Sequence, residues 1–157
     1  MNLMEQACFF IGHRDTSSAV FCQLCQTVEQ HIVVHGVTSF YVGHYGRFDS
    51  LAAEAVILAK TRHPEVKLYL LLPYHPYNCP ITTPDGFDGT YYPPGMENVP
   101  NRFAIIRANQ HMVKTCGYLI AYVSHPSGGS QKILEMALRR QARKEMHVCN
   151  LGGWRTG

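Results

Sequence analysis

A chain of 157 residues, 46% hydrophobic, is expected to form one globular domain with a core that needs no disulfide or metal staple, and it is too short for a second full domain. Its formal charge of +3 comes from scattered Lys and Arg, so a nucleic acid is not the expected partner, whereas an anionic small molecule is compatible. No apolar run approaches the ~20 residues of a membrane span, and "MNLMEQACFFIGHR" lacks a signal-peptide core, so a cytoplasmic protein without a membrane partner is expected.

Strand and helix patterns alternate along the chain. The apolar run 7–12 (ACFFIG) predicts a first strand, and 17–35, with Val20, Leu24, Val28 and Ile32 at helical spacing, a first helix. Residues 39–43 (SFYVG) and 67–73 (KLYLLLP) repeat the strand signature. Between them 49–62 reads as a helix that Asp49 or Ser50 can cap. Further on, 101–114 predicts a helix, 117–123 (GYLIAYV) a strand, 129–144 a helix and 146–151 (MHVCNL) a strand. Continuously apolar strands in alternation with helices predict an α/β fold: a Rossmann-like, doubly wound parallel sheet of five strands with helices on both faces. Right-handed crossovers with one reversal give the order 3-2-1-4-5, and a crevice at the carboxyl ends of strands 1 and 4.

Residues 73–101 interrupt the rhythm. They hold seven of the nine prolines together with Tyr74, Tyr77, Phe87, Tyr91 and Tyr92, and a connection this long is usually functional or disordered. The aromatics argue against disorder and leave three readings: a lid over the crevice, an arm to a partner subunit, or a packed surface loop. The tyrosines suit base stacking or a dimer interface equally.

The carboxyl ends of the strands, where ligands bind in such sheets, are polar. They read Gly12-His13-Arg14-Asp15, Gly43-His44-Tyr45-Gly46-Arg47, Pro73-Tyr74-His75 and Ser124-His125-Pro126-Ser127-Gly128-Gly129-Ser130. With strands ~4.8 Å apart, His75, His44, His13 and His125 spread over ~14 Å, too wide for one metal ion and better matched to an elongated ligand. Gly128 and Gly129 let a ligand approach the free N–H groups at the start of the following helix, whose dipole favours phosphate. Arg14 and Arg47 add cations.

Four segments, "FIGHRD", "VGHYGRFDSLAAEAV", "RFAIIRANQHMV" and "HPSGGSQKILEMA", resemble the YpsA-like branch of the SLOG superfamily over roughly 8–143. The superfamily takes its name from the SMF/DprA proteins and the LOG cytokinin-activating enzymes. The resemblance implies a Rossmann-like domain that binds a nucleotide or nucleotide-derived ligand as sensor or binding module, and it implies a homodimer. Gly12, His13, Arg14, Gly43, His44, Gly46, Arg47 and Ser124 would meet the ligand, with Gly128, Gly129 and Ser130 on a phosphate. No cofactor is expected.

An N-glycoside hydrolase acting on nucleoside monophosphates is the alternative that the LOG enzymes suggest. Their motif P-G-G-x-G-T-x-x-E faces Ser127-Gly128-Gly129-Ser130-Gln131-Lys132-Ile133-Leu134-Glu135 here. The glycine pair and Glu135 match. Gln131 and Lys132 do not, which weighs against hydrolysis more than against phosphate binding. Glu135 would be the key carboxylate and Arg107, or Arg102, the supporting arginine, with Asp49 a rival carboxylate. Single-stranded DNA binding, by analogy with DprA, is the weakest alternative because the net charge is small.

The remaining polar clusters read as structural. Cys22-x-x-Cys25 lies inside a helix pattern and packs there, and Cys8, Cys116 and Cys149 belong to apolar runs, so reduced thiols are expected. His31 and His35 are spaced as a helical metal pair but have no third ligand in view, so no metal site is expected. Trp154, among C-terminal glycines, covers a sheet edge or is mobile.

Overall fold

The computed structural model describes residues 3–126 and 128–154. The central strand β1 (Ala7–Gly12) is apolar because both its faces are covered. Cys8 and Phe10 point to the side of α1 (Phe21–Val33) and α2 (Arg47–Lys60). Ala7, Phe9 and Ile11 point to the side of α3 (Asn101–Thr115) and α4 (Gly128–Ala142). Period-two alternation thus divides the interior into two cores, one on each face of the sheet. Phe10 stacks on Phe40 at 5.8 Å and meets Phe48 edge-on at 6.3 Å, which ties β1, β2 (Ser39–Val42) and α2 together.

The other strands are β3 (Lys67–Leu71), β4 (Gly89–Tyr91), β5 (Tyr118–Tyr122) and β6 (His147–Asn150), and every neighbouring pair is parallel. Their order is β4-β3-β2-β1-β5-β6. The sheet therefore has six strands, not the five expected from the sequence. Without the added edge strand the order agrees with expectation, and the chain reverses its direction of winding at β1, between β2 and β5.

The sixth strand comes from the proline- and tyrosine-rich segment. Asp88 fixes it: its backbone N–H donates to the Leu68 carbonyl at 2.8 Å, while its carboxylate accepts the Leu68 N–H at 2.9 Å and pairs with Lys60. Tyr69 then registers with Gly89 and Leu71 with Tyr91. The Tyr91 ring packs edge-on against Tyr41 at 5.3 Å, and its hydroxyl lies 3.0 Å from His111 Nε2 on α3. This part of the long connection is a packed sheet edge, whereas Tyr77 stands 87% exposed.

Two side chains close the far ends. Arg140 donates to the carbonyls of Val113 and Cys116 at 2.7 and 2.8 Å, capping α3, and to Glu145 O at 3.1 Å. Asn150 accepts the N–H groups of Val123 and Gly152 and donates to the carbonyls of Val123 and Trp154, and Trp154 packs against the core beneath α3 and α4. All six cysteines are free thiols, and among the described residues no helix is long and apolar enough to cross a membrane.

Candidate functional site

The crevice expected at the carboxyl ends of β1 and β5 lies instead at those of β1 and β2, because α3 and α4 roof that side of the reversal; its volume is about 330 Å³. Ile11 and Gly12 form its floor. Arg14, Gly43, Tyr45 and Asp49 line one side, Gly129, Ser130 and Ile133 of α4 another, and Arg102, Ile105, Ile106 and Asn109 of α3 a third, with Leu71 and Pro73 at the β3 end. That volume falls at the small end of the 300–1,000 Å³ typical of ligand pockets.

Five of the expected ligand-binding residues meet here, Gly12, Arg14, Gly43, Gly129 and Ser130, together with Asp49 and Arg102. Their glycines differ in purpose. A Cβ on Gly12 would fall 2.4 Å from Phe48 Cγ, so this glycine admits the aromatic ring of α2. On Gly43 it would fall 3.0 Å from Asp49 Oδ2, so this one makes room for a carboxylate. Nothing lies within 4 Å of a Cβ on Gly129, which faces open space at the start of α4, where backbone N–H groups are unpaired. The Ser130 hydroxyl donates to Gly12 O at 2.9 Å and pins α4 to the end of β1.

Other expected residues support the crevice without lining it. Gly46 has φ +141° and a Cβ there would lie 2.9 Å from Arg14 Cα, so only glycine lets the two loops touch. Arg47 N–H donates to Arg14 O at 2.8 Å. His13 is 7% exposed; its Nε2 accepts the Ser124 N–H at 3.1 Å and its ring stacks on His125 at 4.1 Å. Burial, then the neighbouring His125, push the His13 imidazole below its ordinary value, so it is a neutral acceptor holding β1 to the loop after β5. His44 packs on Tyr45 at 4.2 Å, and His75 accepts the Tyr77 N–H at 3.0 Å, so none of the four strand-end histidines lines the crevice. Gly128, with φ +71°, turns the chain into α4. Ser127 lies outside the described residues.

The two residues nominated for catalysis stand elsewhere. Glu135 accepts from Gln131 Nε2 at 3.4 Å and does not line the crevice, because it is 200° around α4 from Ile133. Arg107 is exposed and likewise outside it, whereas Arg102 lines it.

The carboxylate in the crevice is Asp49. Its Oδ2 accepts the Tyr45 N–H at 3.1 Å, reaching back from the first turn of α2 as a capping-box acid does, while Gly46 takes the N-cap position. Burial pushes this carboxyl up to about 6, against the opposing pull of the Tyr45 amide and the Arg14 guanidinium. From the sequence Asp49 was expected chiefly to cap α2 and Arg102 was one of two candidate arginines, whereas Tyr45, Ile105, Ile106 and Asn109 were not expected at the site. Arg102, Ile105, Ile106 and Asn109 stand at i, i+3, i+4 and i+7, the signature of one helical face, beside the stripe of Ala104, Ala108 and Met112 that packs on the sheet.

No family model matches the chain, and no curated protein matches it. The fold and crevice define a Rossmann-like α/β protein with a pocket of mixed polar and apolar lining at its switch point.

Proposed function

We propose that the crevice binds a nucleotide or nucleotide-derived ligand of mononucleotide size, as a sensor or binding module. One observation carries the reading: Arg14, Arg102 and Gly129, in the first turn of α4, line a single pocket at the switch point of the sheet. Cations and helix N-terminal amides are the groups that hold a phosphate. Tyr45 offers a ring for the base, and Ile105, Ile106 and Ile133 an apolar wall. The homodimer implied by the resemblance to SLOG proteins would use the exposed Phe103 and Ile106 of α3, at 45% and 49%.

Titration of purified protein with a panel of nucleoside monophosphates tests this reading. Wild type binds at least one of them, Gly129→Asp abolishes binding without unfolding the protein, and Arg102→Ala weakens it about 10- to 150-fold, the loss of one hydrogen bond from a charged donor. Equal affinity in the wild type and Gly129→Asp removes the phosphate from α4.

A second reading, N-glycoside hydrolysis, is favoured by one feature. A half-buried carboxyl raised to about 6 in a ligand-sized pocket is suited to donating or accepting a proton near neutral pH. On this reading Asp49, rather than Glu135, is the acid or base at the leaving base. Asp49→Asn stops release of free base and Glu135→Gln does not; the reverse result returns the role to Glu135.

A further inference from the structure

Far from the crevice, at the opposite ends of the strands, three histidines converge. His31 is in the last turn of α1, His35 follows one turn later, and His147 opens β6. One ring nitrogen from each lies within 4.8 Å of the other two, the one such cluster of three potential metal ligands among the described residues. The helical spacing was visible in the sequence, but the third ligand is 112 positions beyond His35 and arrives only through the pairing of β5 with β6.

His31 gives the cluster its direction. It is 1% exposed, and its Nδ1 is 2.8 Å from Thr27 O. A carbonyl only accepts, so Nδ1 carries the hydrogen and Nε2 presents a bare lone pair. That Nε2 is buried and has no hydrogen-bond partner. Buried polar atoms in folded proteins are almost always satisfied, and an orphan of this kind calls for a partner. A backbone carbonyl on the far nitrogen is the usual support of a metal-bound imidazole, fixing both its tautomer and its orientation.

We propose that His31, His35 and His147 bind a zinc ion, which clips the carboxyl end of α1 to the amino end of β6. Three neutral imidazoles with the fourth position left to water form a donor set that zinc takes. Burial pushes His31 down to about 4, so its ring is unprotonated at neutral pH and needs to release no proton on binding. Zinc–nitrogen bonds of about 2.0–2.1 Å place tetrahedral ligand atoms about 3.3 Å apart. The less buried His35 and His147 rings, whose centroids are 4.7 Å apart, turn inward by roughly an ångström while His31 stays fixed. The Tyr118 ring, 5.4 Å from His35 and 5.9 Å from His31 and His147, walls the site, and its hydroxyl donates to His35 O at 3.4 Å. The ion sits at the amino ends of β5 and β6, so its role is independent of ligand binding at the carboxyl ends of β1 and β2.

The test uses full-length protein without a histidine tag, stripped with chelator and titrated with Zn²⁺ by calorimetry, with Co²⁺ as a spectroscopic substitute. Wild type binds one equivalent, gives the intense visible absorption of tetrahedral cobalt, and melts about 5–10 °C higher at zinc a hundredfold above Kd. His147→Ala and His35→Ala, at an exposed and a half-buried position, lose at least tenfold in affinity and lose the cobalt spectrum. Absence of binding to wild type overturns the site, as does zinc affinity unchanged in both variants, which would place the ion on other groups such as Cys22 and Cys25.

Discussion

Gly12 and Gly129 both border the crevice, yet a methyl group added to each has opposite consequences. On Gly12 the new Cβ falls 2.4, 2.5 and 2.8 Å from three carbons of Phe48, where carbon atoms pack at about 3.5–4.0 Å. Phe48 is 1% exposed and held by Phe10 and by Tyr122, whose ring centroid is 6.4 Å away, so it has no space to retreat into. Overpacking of this kind costs about 1–3 kcal/mol. For a chain of this size each kcal/mol lowers Tm by about 2–4 °C, so Gly12→Ala melts about 2–12 °C below wild type. Gly129→Ala meets no atom within 4 Å and gains helix propensity, so its stability equals or slightly exceeds that of wild type. Urea denaturation measures both. Trimming the ring relieves the clash, so Gly12→Ala and Phe48→Leu combined are less destabilised than their sum, by about 0.5 kcal/mol or more. A Gly12→Ala protein as stable as wild type would refute the packing explanation and leave close ligand approach as the reason for glycine at that position.

Asp49 makes stability depend on pH. Its folded value of about 6 lies above the ordinary 3.8, so the folded state holds the proton more tightly than the unfolded chain. That contribution is complete below about pH 4 and is lost as pH rises through about 6. Asp49→Asn is therefore more stable than wild type at pH 8, by up to about 3 kcal/mol, and equal to it near pH 4; parallel denaturation curves at both pH values show this. Arg140→Met leaves the carbonyls at the end of α3 without their donor and destabilises by about 1.5–3 kcal/mol in the same assay. Asp88→Ala releases β4, so hydrogen exchange at the Leu72 amide, which donates to Tyr91 O at 2.8 Å, accelerates while that of β1 does not.

The sequence announced the elements whose signal is local. Phe9, Phe10, Leu68, Leu70, Leu119 and Ile120 belong to strands buried on both faces, so apolar runs identified them and alternation with helices gave their order. β4 was hidden because Gly-Thr-Tyr has no strand pattern of its own; its pairing is imposed by Asp88 acting on Leu68 and Lys60, about 20 and 28 residues away in sequence. The site divides in the same way. Gly12, Arg14, Gly43, Gly129 and Ser130 follow from the rule that ligands bind beyond strand ends. Asp49, in the first turn of α2, and Arg102, in the first turn of α3, were candidates only for capping or hydrolysis, and it is the packing of the two helices that brings them to the same crevice. His13 shows the opposite failure: a polar residue at a strand end that the fold uses to accept a backbone N–H.

The central claim is that the crevice holds a nucleotide phosphate at the start of α4. Native mass spectrometry of purified wild type and Gly129→Asp, followed by mass analysis of what denaturation releases and a repeat after adding nucleoside monophosphates, tests it most directly. Wild type is expected to carry an adduct with the mass of a nucleoside phosphate, copurified or added, and the folded variant none. A wild-type protein bare in both conditions, or an adduct held equally by the variant, would contradict it.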